Sequence, residues 1–552
     1  MELLLNAKQM KACDEQTIGL GIPSMVLMER AALAVVDEMG KAQLDLSKVL
    51  VVCGSGNNDG DGFAVARILF CSRQAAVSHG GSGDDLPRRT ALEAVGSRQV
   101  TVWFVGKESS MTKETMLQRS ICENCGLKIS SNFPDGEYTT IVDAMLGIGL
   151  SRAVEGRYAE AVEWISAQNA QVVAVDIPSG ISADSGCVLG TAVRADLTVT
   201  FAARKLGQVF YPGAEYCGRL VCRDIGIQTD WNNSGIHDAS PCIFTYTKQD
   251  LTRLPKRVPD SHKGTYGKVL LIAGSEGMSG AACLAARAAF RSGCGMVRVF
   301  TPACNRIVIQ TVIPEAMVTT WEPGKAKPGG LEEALAWSDV VGIGPGLGTS
   351  PDAKELLCYI LNHSAKPLVI DADAINLLSA PLRPRCGEMC EQTAAECSAS
   401  ATDDRGKIPL SVQDSLKGRV ILTPHLGEIA RLTGMEKHTI AADPIETARS
   451  FADTYEVVCV LKNTRTVVSD GSRTYLNTSG NDGMAVAGSG DVLTGVLCGL
   501  LAQKVPVYDA ATLGVYLHGL AGDAARDELG AHAVMAGDLC DFAGKVIKKY
   551  AR

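Results

Sequence analysis

Residues 477–493 read NTSGNDGMAVAGSGDVL, in which Gly488-Ser489-Gly490 stands directly before Asp491 and an apolar run. Small residues let main-chain N–H groups approach a ligand closely, and the N-terminus of a helix favours negative charge through its dipole. A carboxylate placed there can take the proton of a substrate hydroxyl. The pattern predicts a glycine turn opening a helix, an anion hole at Gly490 and a general base at Asp491. Phosphoryl transfer to an alcohol is the chemistry it suits. Simple helix capping by Asp491 fits the same residues, so the upstream segments must decide between the two readings.

Short β-branched runs alternate with amphipathic segments upstream: residues 48–53, 100–105, 139–142 and 172–175, then 268–272, 297–300, 368–370, 419–422 and 457–461. Such alternation predicts an α/β protein with parallel sheets covered by helices. Residues 229–262 lie between the two series, are polar and broken by proline, and read as a linker. A chain of 552 residues is too long for one core. We expect two domains, 1–235 and 236–552.

Apolar residues make up 46% and charged residues 21%, an ordinary enzyme composition with ample material for buried sheets. The net charge of −8 offers no basic footprint for nucleic acid. Its amino end lacks a signal-peptide core and no apolar run nears the length of a membrane span, so the cytoplasm is the expected compartment. The 19 cysteines are scattered through apparent core segments, which argues for reduced thiols. Cys122 and Cys125 have CxxC spacing but no second half-site for a tetrahedral metal. Cys386, Cys390 and Cys397 fall in a polar stretch, residues 383–415, that reads as a surface insertion.

After KVLVVC comes GSGNNDGDGF, where Gly54, Gly56, Gly60 and Gly62 surround Asn57, Asn58, Asp59 and Asp61. The spacing matches neither the dinucleotide fingerprint nor a Walker loop. A glycine-rich turn at the carboxyl end of a parallel strand is still where an open α/β sheet binds ligands, so a small phosphorylated or nucleotide ligand is expected. Two more strand ends carry oxygen-rich side chains: Asp143 before GIGLSR, and Asp176-Ile177-Pro178-Ser179-Gly180. Asn58, Asp143 and Ser179 offer hard oxygens of low total charge, which suits a monovalent cation better than zinc. Each alone also reads as a turn residue serving local amides.

LMERAA (residues 27–32), GNNDGDGF, VDAMLGIGLSR and VDIPSG resemble, in order, the NAD(P)H-hydrate epimerases, the YjeF amino-terminal family of Rossmann-like αβα folds. The resemblance implies that Asn57, Asn58, Asp59, Gly60 and Asp61, with Gly147, Ile148, Gly149, Leu150, Ser151 and Arg152, hold the hydrated dinucleotide. It implies potassium on Asn58, Asp143 and Ser179, and Asp176 at the reacting nicotinamide. The family usually has glycine where Asp59 stands, which raises the expectation of a strained backbone if that position needs a positive φ.

In the second series, HKGTYG, GSEGMSGA, GPGLG, DADAIN, TPHLGE and GNDGMAVAGSGD together resemble the NAD(P)H-hydrate dehydratase family, relatives of ribokinase, over residues 245–550. The family transfers a phosphoryl group from a nucleotide to the hydroxyl of the hydrated nicotinamide, after which phosphate leaves. The resemblance implies that Asp491 is the base and that Gly490 cradles the transferred phosphate. Lys462, Asn463, Thr464, Arg465 and Thr466 would hold the nucleotide phosphates, and Ala281, Gly346 and His425 would line the hydrate pocket. A lone histidine is more often bonded to backbone, but the TPHLGE context favours the pocket for His425. Asp371 and Asp373 read as strand-end turn residues assisting nucleotide or magnesium. Asn463 replaces the family's usual glycine and is expected to narrow the phosphate turn.

The expected function is therefore a bifunctional repair enzyme. It epimerises the R and S forms of hydrated NAD(P)H and dehydrates the S form at the expense of ADP, giving AMP and phosphate, with ATP as the other candidate donor. Potassium and magnesium are the expected ions, and a homo-oligomer is expected. The rival reading is a ribokinase-like kinase for a small alcohol or vitamin precursor, fused to a nucleotide-binding scaffold domain.

Overall fold

The computed structural model describes residues 1–78, 99–229, 242–322, 324, 330–379 and 410–550. The domain boundary expected near residue 235 and the three cysteines of the 383–415 insertion lie outside the described residues. The chain divides into two compact units, Leu3–Ser240 and Pro241–Arg552 with Met1–Glu2.

In the first unit seven parallel strands form one sheet, in the order Lys128–Ser130, Gln99–Phe104, Lys48–Cys53, Thr140–Ala144, Gln171–Val175, Leu197–Phe201 and Arg219–Arg223. Side chains alternate across a strand. Val49, Val51 and Cys53 accordingly join one buried cluster with the helices Ser24–Lys41 and Asn57–Ser78, while Leu50 and Val52 join another with the helix Arg157–Ser166. Burial on both faces explains why KVLVVC is apolar without alternation. The earliest of these strands, Lys48–Cys53, pairs with Gln99–Phe104 on one side and Thr140–Ala144 on the other. Chain direction across the sheet switches there, which opens a crevice at the carboxyl ends where Gly54 and Met145 begin their turns.

The second unit repeats this logic. Its parallel strands run Met317–Trp321, Met296–Pro302, Lys268–Ile272, Val340–Ile343, Leu368–Ile370, Val420–Leu422 and Val458–Leu461. Contrary to a wholly parallel expectation, Val467–Ser469 and Thr474–Leu476 continue the sheet antiparallel, because the short turn after Leu461 returns the chain directly. Ile243–Thr245 then pairs parallel with Thr474–Leu476. The stretch read as a linker thus contributes a strand, and a 3-10 turn, Lys248–Arg253, follows it.

The alanine-rich helix Ser279–Arg291 packs against the helix Ser489–Ala502, the one that carries Asp491. A Cβ on Gly495 would lie 2.1 Å from the Ala285 carbonyl oxygen. Small residues on both helices let the backbones meet.

Candidate active sites

Three strand ends of the second unit, carrying Asp371, Thr423 and Lys462, converge on the start of the helix Ser489–Ala502. Its N-cap is Gly488, at φ 93, a conformation natural to glycine. No side chain of a described residue caps this helix, and Asp491, its third residue, is not its cap. Asp491 makes no hydrogen bond to a described residue. Burial, followed by the negative charge of Asp371, raises its carboxyl to about 6, with Asp373 adding to the rise and Lys462 opposing it.

Asp371, buried at the end of Leu368–Ile370, accepts from Lys462 Nζ at 2.7 Å, Thr423 Oγ1 at 2.6 Å and Thr494 Oγ1 at 2.7 Å. Burial pushes its carboxyl up, but Lys462 and these hydrogen bonds more than offset that and hold it below its ordinary value. A Cβ on Gly490 would stand 3.5 Å from Lys462 Nζ and 3.7 Å from Asp371 Oδ2, which places the ion pair against the helix terminus. Lys462 is thus brought to Gly490 and Asp491. Of its neighbours, Asn463 and Thr464 are exposed, and Arg465 donates to the Thr478 carbonyl at 3.2 Å. Thr466 accepts from the Asn477 amide at 2.9 Å. Asn463 has no positive φ, so its backbone tolerates a side chain.

Ala281 and Gly346 come together. Gly346 sits at φ 58, and a Cβ there would fall 2.9 Å from Ala281 Cβ. Asp373 ties the same loop by accepting from the Gly348 amide at 2.8 Å. His425 caps the helix Leu426–Thr433, its Nδ1 accepting from Gly427 N at 2.9 Å and Glu428 N at 3.3 Å. An accepting Nδ1 carries no proton, and burial, then Lys462 and Arg431, depresses the imidazole's basicity. The side chain is 53% exposed, so backbone bonding and access to a ligand coexist. Behind the turn, buried His518 approaches Ser489 Oγ at 3.5 Å, and burial depresses it to about 4, leaving it neutral.

In the first unit, Asp143 and Ser179 are locked together. Ser179 donates from Oγ to Asp143 Oδ1 at 2.6 Å and from its amide to Oδ2 at 2.8 Å, while Leu146 N donates to Ser179 Oγ at 2.9 Å. Burial raises the Asp143 carboxyl to about 6 against the pull of these bonds. Asn58 lies beside Gly147, whose Cβ would be 3.2 Å from Asn58 Cβ, and the Asn58 amide nitrogen is buried without a partner among the described residues. No group of three His, Cys, Asp or Glu among the described residues could hold a metal ion.

Asp176 adopts φ 63 and accepts from Lys205 Nζ, from Thr200 Oγ1 at 2.9 Å and from the Phe201 amide at 3.4 Å. Lys205 is buried although it directly follows Arg204 in an otherwise largely small and apolar run, and sequence reading passed over it. Asp61 makes no hydrogen bond to a described residue; burial, then Asp176, Asp59 and Asp14, raises it well above its ordinary value. Asp59 does not need a positive φ: it sits in the first turn of Asn57–Ser78 and is buried. Its carboxylate accepts from the amides of Gly54 and Gly56, the same donors that the glycine turn would offer an anion. Gly60 is buried in that turn. Gly147, Ile148 and Gly149 to Ser151 follow Leu146 in a turn, with Leu150 N donating to the Gly147 carbonyl at 3.3 Å and Arg152 exposed.

Residues 24–207 match the family described as YjeF-related protein N-terminus, and residues 269–389 and 405–543 match the NAD(P)H-hydrate dehydratase family. Over 548 residues the chain is 37% identical to a bifunctional NAD(P)H-hydrate repair enzyme of Moorella thermoacetica, covering 96% of this chain and 93% of that one. The chain belongs to the bifunctional NAD(P)H-hydrate repair enzyme family. Another member, from Escherichia coli, is 33% identical over 533 residues, 96% of this chain and 90% of that one. Among solved structures, the ADP/ATP-dependent NAD(P)H-hydrate dehydratase from Bacillus subtilis, co-crystallised with ATP and magnesium, aligns at 33% identity. That alignment has a TM-score of 0.45 and covers 55% of this chain and 98% of the other. A match to repair enzymes running through both units leaves no room for the alternative of a lone small-alcohol kinase joined to a scaffold. No helix among the described residues is long and apolar enough to cross a membrane.

Proposed function

We propose that the chain repairs hydrated NAD(P)H in two steps, with the domains divided at residue 235. The amino-terminal domain interconverts the R and S epimers of the hydrate. Its partner dehydrates the S form with ADP, releasing AMP and phosphate. A dehydratase specific for one epimer strands the other, so the two activities belong on one chain.

The observation that carries the reading is Asp491, a half-buried carboxyl without a hydrogen-bond partner among the described residues, raised to about 6 and set in the first turn of a helix beside Lys462. In the first half-reaction the hydroxyl oxygen of the hydrate bonds to the terminal phosphorus of ADP. The P–O bond to AMP breaks with its electron pair, and the hydroxyl proton goes to Asp491. Gly490 and the helix N-terminus favour the negative charge on the phosphoryl oxygens. In the second half the C–O bond breaks with its pair leaving on phosphate, and loss of a proton from the adjacent ring carbon restores the double bond. Phosphate leaves where hydroxide would not. Lys462 to Thr466 are proposed for the nucleotide phosphates, and Ala281, Gly346 and His425 for the hydrate.

In the first domain Asp176 is the proposed proton-transferring group, with Asn57 to Asp61 and Gly147 to Arg152 around the dinucleotide. The side-chain oxygen of Asn58 beside Gly147 and the single charge of the Asp143–Ser179 pair fit potassium, which would supply a fixed positive charge beside the dinucleotide turn. The described residues provide no cluster of three metal-ligating side chains. Magnesium is therefore proposed only as the companion of the nucleotide's phosphates, with no step assigned to it. We also propose a homo-oligomer in the cytoplasm; the described cysteines form no disulfide, which supports the reducing compartment.

The test is incubation of mixed hydrate epimers with ADP or ATP, following recovery of the near-ultraviolet absorbance of the reduced nicotinamide. Complete recovery with release of AMP supports both activities and the donor. A stable phosphorylated product without recovery, or a persistent unreacted half, refutes one activity or the other.

A further inference from the structure

Lys462 sits where a cation is unwelcome. Its ammonium lies against the first turn of Ser489–Ala502, the positive end of a helix dipole, and most of the side chain is buried. An unaccompanied lysine in such a place would lose its proton or swing outward. Asp371 prevents both, because its carboxylate is itself fixed from three directions: Lys462 and Thr423 on Oδ1, and Thr494 on Oδ2. These anchors come from separate elements. Thr423 follows the strand Val420–Leu422, Lys462 follows Val458–Leu461, and Thr494 belongs to the helix that bears Gly490 and Asp491. The turn that delivers Asp371 is also held rigidly, since the next residue, Ala372, is kept at φ 49, a costly conformation for a residue with a side chain. The main chain completes the brace, with Lys462 N donating to the Pro424 carbonyl at 2.8 Å.

We propose that Asp371 is a positioning residue for the dehydratase reaction. It holds the Lys462 ammonium charged and fixed beneath Gly490, where that ammonium meets the phosphoryl group in transit while Asp491 receives the proton. Lys462 is thereby assigned to the transferring phosphoryl rather than only to the outer phosphates of the nucleotide. One of its three N–H groups is engaged by Asp371, and an incoming anion takes the others. Asp371 touches neither substrate nor nucleotide. The groups facing Asp491 are Asp371, Asp373 and Lys462, with neutral His518 behind Ser489, while Glu428 and His425 flank Lys462 from the neighbouring helix start.

This inference rests on the dehydratase reading above. The experiment uses the full chain, S-hydrate and ADP, with the thermal melt of each variant as the control for folding. Asp371→Asn keeps the shape and loses the charge. It is expected to lower kcat for dehydration by about 10²-fold, with KM for ADP moving less than about threefold. The acid limb of its kcat profile moves about 1 pH unit lower, because a neighbouring negative charge has gone. In the Lys462→Met background the same substitution causes no further loss, since its partner is already absent. Should Asp371→Asn not fold, Thr494→Val keeps the charge pair, frees Oδ2 and lowers kcat by about tenfold. Wild-type kcat in either variant, an unmoved acid limb in Asp371→Asn, or a full multiplicative loss in the double variant overturns the proposal. Failure of the wild-type chain to restore absorbance would instead strike the dehydratase reading itself.

Discussion

Replacing Asp491 by asparagine tests the dehydratase mechanism most sharply, because one substitution is expected to change rate, pH profile and stability in different directions. The carboxyl titrates at about 6, so at pH 7.5 roughly 3% is protonated and nearly all of it can accept a proton. Asparagine cannot. Loss of a positioned base costs on the order of 10²–10⁴ in rate, or about 3–5 kcal/mol of barrier. Below pH 6 the wild-type rate should fall about tenfold per pH unit, and in Asp491→Asn this limb should vanish. Stability moves the other way. The native carboxyl binds a proton more tightly than the unfolded one, so native stability falls as pH rises between about 4 and 6, by up to ~3 kcal/mol. Asp491→Asn removes this liability and should raise Tm at pH 7.5, with no such gain near pH 4. Stopped-flow absorbance recovery, ADP calorimetry and thermal melts at the two pH values make the assay. Wild-type turnover, or a surviving acid limb near 6, would refute Asp491 as the base. An unchanged Tm at pH 7.5 would refute the account of its burial.

Four further outcomes follow from the first unit. Ser179→Ala removes the donor to Asp143 Oδ1 and the acceptor for Leu146 N, and should cost about 1–3 kcal/mol in chemical unfolding while abolishing potassium activation of epimerisation. Lys205→Met strands Asp176 without its buried cation; a destabilisation of about 3–5 kcal/mol and loss of epimerisation are expected, and a stable active variant would exclude the pair from the site. Asp176→Asn should stop epimerisation, leaving half of an epimer mixture unreacted, yet spare dehydration of pure S-hydrate. Asp59→Gly releases the Gly54 and Gly56 amides, so the first domain should bind the dinucleotide more tightly by isothermal titration; weaker binding would mean that the carboxylate shapes the turn for the ligand.

Much of this was legible before any coordinates, and the reason lies in how α/β proteins distribute information. Strands buried on both faces announce themselves as unbroken β-branched runs, so Lys48–Cys53, Lys268–Ile272 and Leu368–Ile370 appear with the limits their sequence suggests. Chemistry in such folds collects at the carboxyl ends of those same strands, which is why Asp371, Thr423 and Lys462 meet although 91 residues separate the first from the last. What stayed hidden was pairing across elements. Nothing around Lys205 marks it as the cation of Asp176, and Thr494 reads as an ordinary residue of an apolar helix until the helix is laid against Asp371. The departure at Asp59 shows the same limit from the other side. A glycine replaced by aspartate suggests backbone strain, whereas the folded turn absorbs the change by lending the new carboxylate two main-chain amides. Composition and spacing report which side chains a strand end offers; only the fold decides which of them spend their charge on each other and which, like Asp491, are left to act on a substrate.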